Sequence, residues 1–325
     1  MKAQRLFGLL AILLAIGMAS PAASYAAEQS VKWSFGSVYS ADHAYTKSDK
    51  FFAQEVKKAS NGQISIDYFE NGQLGSEREM LEATRAGGQQ LTQTSPGMLA
   101  TLLPRVGTLE LPYLFRDRDH YYKSMGVALS LLGEDLAAKT GLRVVTWRER
   151  APRELTTKMP VTKLDDIKGL KIRVSEVPVR VALWKAFGTN PTPLPMTEVY
   201  TSLATGAIDA QENPLDTIYS FKLHEQQKYI TLTDHMREIS LIMVNEKAWN
   251  TLTPAQQKLI REAADRSSEM ANKLVHADEE ACATKLKALG IRIDTIDKRP
   301  FMERAMTIWP QFGEKEIYER IQAIK

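Results

Sequence analysis

The sequence predicts an α/β fold, and two similar lobes account for its internal pattern. Three observations carry this. Strand-like alternation and helix-like periodicity follow one another from Val31 to Asp209. Sliding the chain by 119 residues sets Glu79 on Glu198, Met80 on Val199, Ala83 on Ser202 and Gly87 on Gly206. Each copy reads as a helix, a glycine stop and a short strand with a polar end, Gln93 to Ser95 in one and Gln211 to Asn213 in the other; chance and duplication both remain open as its origin. Finally, Pro254 to Leu289 contains no internal glycine or proline.

The elements follow in order from local signals. Val31 to Gly36 alternates as a strand and stops at glycine. A helix is expected from about Tyr45 to Ala59, closed by Asn61-Gly62, and a second strand from Gln63 to Phe69. Ser76-Glu77-Arg78-Glu79 has a hydroxyl at the N-cap and a carboxylate three residues on, so a helix should run to about Ala86 and end at Gly87-Gly88. Short strands are expected near Leu91 and Ile208, with clearer ones at Gly141 to Trp147 and Leu170 to Val174. Thr253-Pro254-Ala255-Gln256 combines N-cap, first-turn proline and closing glutamine, a strong helix start. One continuous helix from there would span about 54 Å and lie across both lobes; two helices with an unmarked break are the alternative.

The beginning of the chain reads as a secretory leader. Lys2 and Arg5 precede the apolar run Leu6 to Met18, and Ser24-Tyr25-Ala26 offers a cleavage site, so residues 1–26 are expected to be removed on export to the periplasm. The run is shorter than the roughly 20 residues that span a bilayer. Cys282 is the single cysteine, so no internal disulfide can staple the fold. Removing Lys2 and Arg5 from the 42 basic residues leaves 40 against 39 acidic ones. That balance argues against a nucleic-acid partner, which needs a basic surface.

An enzymatic reading finds little support. The chain has no Gly-x-Ser-x-Gly, Gly-x-Gly-x-x-Gly, phosphate loop or His-Glu-x-x-His. His43, His120, His224, His235 and His276 are scattered without metal-ligand spacing, and no cofactor or metal is expected. Cys282, inside the long helical run, reads as a packed thiol.

Two segments are more specific. Asp165-Asp166-Ile167-Lys168-Gly169-Leu170-Lys171-Ile172-Arg173-Val174 is followed by Pro191-Thr192-Pro193-Leu194-Pro195-Met196-Thr197-Glu198-Val199-Tyr200 and then by Gly206-Ala207-Ile208-Asp209-Ala210-Gln211-Glu212-Asn213-Pro214. Their order and spacing resemble the solute-binding proteins of TRAP transporters, the tripartite ATP-independent periplasmic systems that include dicarboxylate and sialic-acid binders. Gln73-Leu74-Gly75, Leu111 to Asp117 and Gln227 to Ile230 fit the same family, so the resemblance covers essentially the whole chain after the leader. It implies the periplasmic-binding-protein fold: two lobes with a hinge, a ligand cleft between them and a long helix over both. Lobe one would take residues 27–150 plus 239–278, and lobe two 151–238 plus 279–325.

The resemblance also implies site residues. The family's ligand-orienting arginine falls on Arg173, whose planar fork can hold one carboxylate through two parallel hydrogen bonds. A second arginine twenty residues earlier falls on Arg153, with Arg148 and Arg150 close enough to leave the register open. Asn213 matches an amide contact, its plain alternative being a turn residue before Pro214. Ala210 departs from the family's usual glycine. From lobe one, Glu77 matches a carboxylate position and equally reads as a favourable charge in a helix's first turn. Gln93 and Ser95 lie at a strand end, with Thr94 between them, and His43 follows the first strand. Met196 replaces an aromatic residue of some relatives, which leaves stacking on a ring ligand open.

The expected function is capture of a small organic acid by cleft closure and its delivery, by a monomer, to the small and large integral-membrane subunits of the transporter. A cleft rich in Glu77, Gln93, Ser95 and Asn213 suits hydroxyl groups, which favours a sugar acid such as a hexuronate or aldonate. A C4-dicarboxylate binder of the same transporter class, a periplasmic lyase acting on sugar acids and a sensory binding protein are the alternatives.

Overall fold

Local signals and strand pairing divide the work of building this fold. A computed structural model describes residues 30–133 and 135–325; the expected leader, 1–26, lies outside them. Eleven strands are described: β1 (Val31–Gly36), β2 (Ile64–Phe69), β3 (Leu91–Thr94), β4 (Leu142–Glu149), β5 (Glu154–Thr157), β6 (Lys171–Val174), β7 (Asn190–Pro193), β8 (Ala210–Asn213), β9 (Tyr229–Leu232), β10 (Ile239–Asn245) and β11 (Arg292–Thr295). The helix after β1 runs Ala44–Ala59, one residue earlier than expected because His43 serves as its N-cap. The capping box at Ser76 forms, with Ser76 N donating to Glu79 Oε2 at 2.8 Å, and Gly87 closes that helix at φ 89°. A positive φ there is the conformation that favours glycine.

The strands sort into two sheets, β2-β1-β3-β10-β4 and β11-β9-β5-β8-β6-β7. In the first, β2, β1 and β3 run parallel and β10 joins antiparallel. In the second, β7, β6 and β8 run parallel and β5 joins antiparallel. The two sheets therefore share one topology, and the shift of 119 residues carries Leu91 and Thr94, the ends of β3, onto Ala210 and Asn213, the ends of β8. Gly206 ends its helix at φ 75°, as Gly87 does in the other copy.

The chain passes between the sheets from β4 to β5 and back from β9 to β10. These two crossings lie side by side, joined by Arg150 N to Glu238 O at 3.1 Å and Arg153 N to Met236 O at 2.9 Å. The third link is the helix Pro254–Ala288, one continuous element of 35 residues, about 52 Å long. Its buried face is mostly small, with Ala263, Ala264, Ser267, Ser268 and Ala271 in series. Small side chains let it lie close against the helix Ala44–Ala59 and β4, before it continues over the helix Leu215–Ser220 to β11.

One packing contact cuts across the expected lobe boundary. Trp309 Nε1 donates to Pro112 O at 3.0 Å, His120 Nε2 lies 2.9 Å from Ile321 O, and one apolar core holds Leu111, Leu114 and Tyr121 together with Trp309 and Ile321. Residues 309–321 thus rest on residues 104–121, which the sequence reading assigns to the other lobe.

Candidate functional site

The carboxyl ends of β1, β3, β6 and β8 face one another across the gap between the sheets, where ligands of open α/β sheets sit. Two small adjoining cavities, of about 20 and 30 Å³, occupy that gap and share Val38, Tyr39, Glu77 and Arg150. A larger cavity, about 480 Å³, lies beside the long helix and shares no residue with them.

Arg173, on β6, lines the cleft and is 2% exposed. Its Nε and Nη2 donate to Leu194 O at 2.9 and 2.7 Å. Leu194 follows β7, which pairs with β6 through Arg173 opposite Thr192. Among the described residues no carboxylate lies within ion-pair distance of Arg173. Burial pushes its pKa down to about 9 against the attraction of Glu212, so the side chain is still a cation at neutral pH. A buried cation without an anion is unfavourable, and a ligand carboxylate would relieve it.

Arg153 lines the same cavity, but its donors are already engaged. Nε and Nη2 hold the Glu212 carboxylate, with Nη2 to Oε1 at 2.8 Å, Nη2 also reaches Glu212 O at 2.6 Å, and Nη1 meets Glu238 at 3.0 Å. Arg153 thus reaches the cleft as expected, with its donors shared among Glu212, Glu238 and Asn213. Arg150, the register neighbour, is the more open arginine: Nε lies 3.2 Å from Glu238, Nη2 donates to Asn213 Oδ1 at 3.3 Å, and the guanidinium sits 5.6 Å over the Tyr39 ring while lining both cavities. Arg148, within β4, is buried and pairs with Asp49 at 2.5 Å, whereas Arg150 lies just beyond the end of the strand.

Asn213 ends β8 with Oδ1 accepting from Arg153 at 3.1 Å and Nδ2 donating to Gln211 Oε1 at 2.6 Å. Met196 lines the same cavity, its sulfur 3.9 Å from Asn213 Nδ2. On the opposite wall, Glu77 starts its helix and takes Thr94 Oγ1 at 2.9 Å, Ser95 N at 2.9 Å and Ser95 Oγ at 3.1 Å, all on Oε1. Gln93 donates to Ser240 Oγ at 2.8 Å and accepts from Ser37 Oγ at 3.4 Å. Ser95 also caps the helix Pro96–Leu99.

His43 is corrected. It does not line the cleft: Nδ1 accepts from Tyr45 N at 3.1 Å and Nε2 faces Asp216 at 3.3 Å, behind Tyr39. Tyr39, four residues earlier, reaches the cleft instead. Its nearness to the end of β1 was the available signal. Ser175, Thr217 and Ser240 carried none. Arg180 carried none either, and it lines the cleft while held by Glu110 at 2.8 Å and by Glu238.

The charges in this gap nearly cancel. Glu110, Glu212 and Glu238 match Arg150, Arg153 and Arg180, which leaves Arg173 on the β6 wall and Glu77 on the β3 wall as opposite poles without an ion pair among the described residues. Burial opposes the charge of Glu212, yet Arg153 and His235, its Nε2 at 3.0 Å, hold that carboxyl well below its ordinary range. Cys282 takes no part: it is buried, and burial pushes its thiol up to about 12. We expect maleimide to label it at least tenfold faster in urea than in the native protein, because only the thiolate reacts readily; equal rates would show an open, reactive thiol.

Comparison with known proteins places this geometry. Residues 35–316 match the model of bacterial extracellular solute-binding proteins, family 7. The 2,3-diketo-L-gulonate-binding periplasmic protein of Escherichia coli K12 is 31% identical over 90% of this chain and 89% of its own. A TRAP periplasmic solute-binding protein of Xanthobacter autotrophicus Py2 with bound β-D-galacturonate is 30% identical, with TM-score 0.87 over 90% of this chain and 100% of that one. Another, from Sulfurospirillum deleyianum DSM 6946 with bound succinate, is 28% identical, with TM-score 0.85 over 91% of this chain and 99% of that one.

Proposed function

The chain belongs to family 7 of the bacterial extracellular solute-binding proteins, and from that premise we propose that its cleft captures a sugar acid, a hexuronate or aldonate, by closure between the two lobes. It is the solute-binding component of a TRAP transporter, not an enzyme. Among the described residues no helix is long and apolar enough to cross a membrane. We place the mature protein in the periplasm, released from its leader and acting as a monomer that hands the closed, loaded form to the membrane subunits.

The observation that carries the ligand class is the unpaired cation Arg173. It calls for a carboxylate, and Arg150 lines the same cavity. The far pole is the reason for choosing a sugar acid. Among the described residues Glu77 has no cation within ion-pair distance, so a second carboxylate there would meet like charge in a water-poor gap, whereas hydroxyl groups could donate to it. Fold alone does not decide this, since the succinate-bound and galacturonate-bound relatives are about equally similar to this chain.

Closure expels water, which strengthens each charged hydrogen bond and makes an unmatched polar group on a wrong ligand costly. A thermal-shift screen of D-galacturonate, D-glucuronate, D-gluconate, succinate and malate tests the assignment. At about 100 times its dissociation constant a bound acid stabilises the fold by roughly 2.7 kcal/mol. We expect that shift with at least one sugar acid and none with succinate or malate. Stabilisation by the dicarboxylates alone would overturn the sugar-acid assignment.

A further inference from the structure

His43 and Asp216 form a buried pair that the ligand site does not use. His43 follows β1 of the first sheet and caps the helix Ala44–Ala59; Asp216 follows β8 of the second sheet, in the helix Leu215–Ser220. The two elements belong to different lobes, so this contact exists only where the lobes meet. Nε2 of His43 lies 3.3 Å from Oδ2 of Asp216, with side chains 1% and 8% exposed. Nδ1 of His43 accepts from Tyr45 N at 3.1 Å, which leaves the ring hydrogen on Nε2, and Nε2 meets Asp216 as a charge contact outside hydrogen-bond geometry.

Each partner touches a residue that lines the cleft. The His43 ring packs on Tyr39 with centroids 4.1 Å apart, and Tyr39 in turn lies under Arg150. Asp216 Oδ1 accepts from Thr217 N at 2.5 Å and Thr217 Oγ1 at 3.2 Å, and Thr217 lines the cavity that holds Arg173. Other ion pairs also link the stated lobes: Arg180 with Glu110 at 2.8 Å is buried beside the crossings, while Arg78 with Glu176 at 3.2 Å is 40% and 29% exposed and screened by water. Buried, an unpaired carboxylate is far more costly, so closure without His43 would strand Asp216.

We propose that the His43–Asp216 pair is the latch of this clamp: it forms as the lobes close, positions Tyr39 and Thr217 against the ligand, and sets how long the closed state lives. The inference rests on capture by closure and not on which acid is captured. When the lobes part, both side chains return to water and the pair no longer contributes.

The test uses His43→Asn and Asp216→Asn in the full chain. Asparagine is itself a good N-cap, so the helix start survives at position 43. The probe is whichever of D-galacturonate, D-glucuronate or succinate the wild type holds, followed by stopped-flow tryptophan fluorescence. We expect dissociation about tenfold faster or more in each variant and association within about twofold, since loss of a buried charged contact acts on the off-rate. The double variant should be no worse than the single ones, and melting without ligand should be unchanged. An unchanged off-rate, or a drop in ligand-free melting that accounts for the lost affinity, would overturn the latch. Failure of the wild type to hold either sugar acid while holding succinate would count against the sugar-acid assignment and leave the latch to be read on succinate.

Discussion

Arg173→Met should cost the captured acid about 2–5 kcal/mol of affinity, roughly 30- to 5,000-fold, and at the same time raise the melting temperature of the ligand-free protein. The two effects have one cause. Arg173 is buried, is held only by Leu194 O and has no carboxylate partner among the described residues. In the empty protein its charge is a burden, because water has been removed and no anion replaces it. In the loaded protein that same charge would be the anchor. Arg173→Lys separates charge from shape: the cation stays but the planar fork is gone, so most of the affinity should still be lost. Calorimetric titration and melting of the three proteins check this. Affinity within a few-fold of wild type in Arg173→Met would remove Arg173 from the site.

The second large effect falls on stability. Glu212→Gln breaks the ion pair with Arg153 beside the two interlobe crossings, where both side chains are 1% exposed. Removing one partner of a buried pair typically costs about 3–5 kcal/mol, since the other charge is left without compensation. Urea unfolding should show that loss in the midpoint, and a midpoint within 1 kcal/mol of wild type would mean that Glu238 alone satisfies Arg153. The pH dependence supplies a second readout. Glu212 in the folded protein titrates well below its ordinary 4.5, so the pair's contribution is complete above about 4.5 and drains as pH falls below it. The variant lacks that group, and its melting temperature should decline less steeply on the acid side. A parallel decline in both proteins would place the acid sensitivity elsewhere.

Much of the fold was legible because its signals are local. The capping boxes at Ser76 and Thr253, the glycine stops at Gly87 and Gly206 and the alternation in β1 and β2 depend on residues within four positions of one another. The echo at 119 residues was legible for a similar reason, since two sheets of one topology need the same helix, stop and strand in the same order. Arg173 and Asn213 could be singled out because each sits inside a motif continuous along the chain, and both line the cleft.

The rest required the tertiary structure. Arg148, Arg150 and Arg153 look alike along the chain, and what separates them is which carboxylate stands opposite: Asp49 for the first, Glu212 for the last, and for Arg150 only a share of Glu238. His43 and Tyr39 both follow β1, and Asp216, 173 positions beyond His43, draws the histidine out of the cleft and leaves the tyrosine in it. The network of Glu110, Arg180 and Glu238 comes from three distant stretches of chain, so no spacing could announce it. The sequence by itself carried many of the elements and the helix, stop and strand that recur 119 residues apart, because hydrogen bonds and side-chain periodicity within an element are short-ranged, while Arg173 was singled out through the family resemblance of its strand. Which arginine is free and which is spent was decided only by folding, because an ion pair depends on distance in space and burial, and neither is encoded in position along the chain.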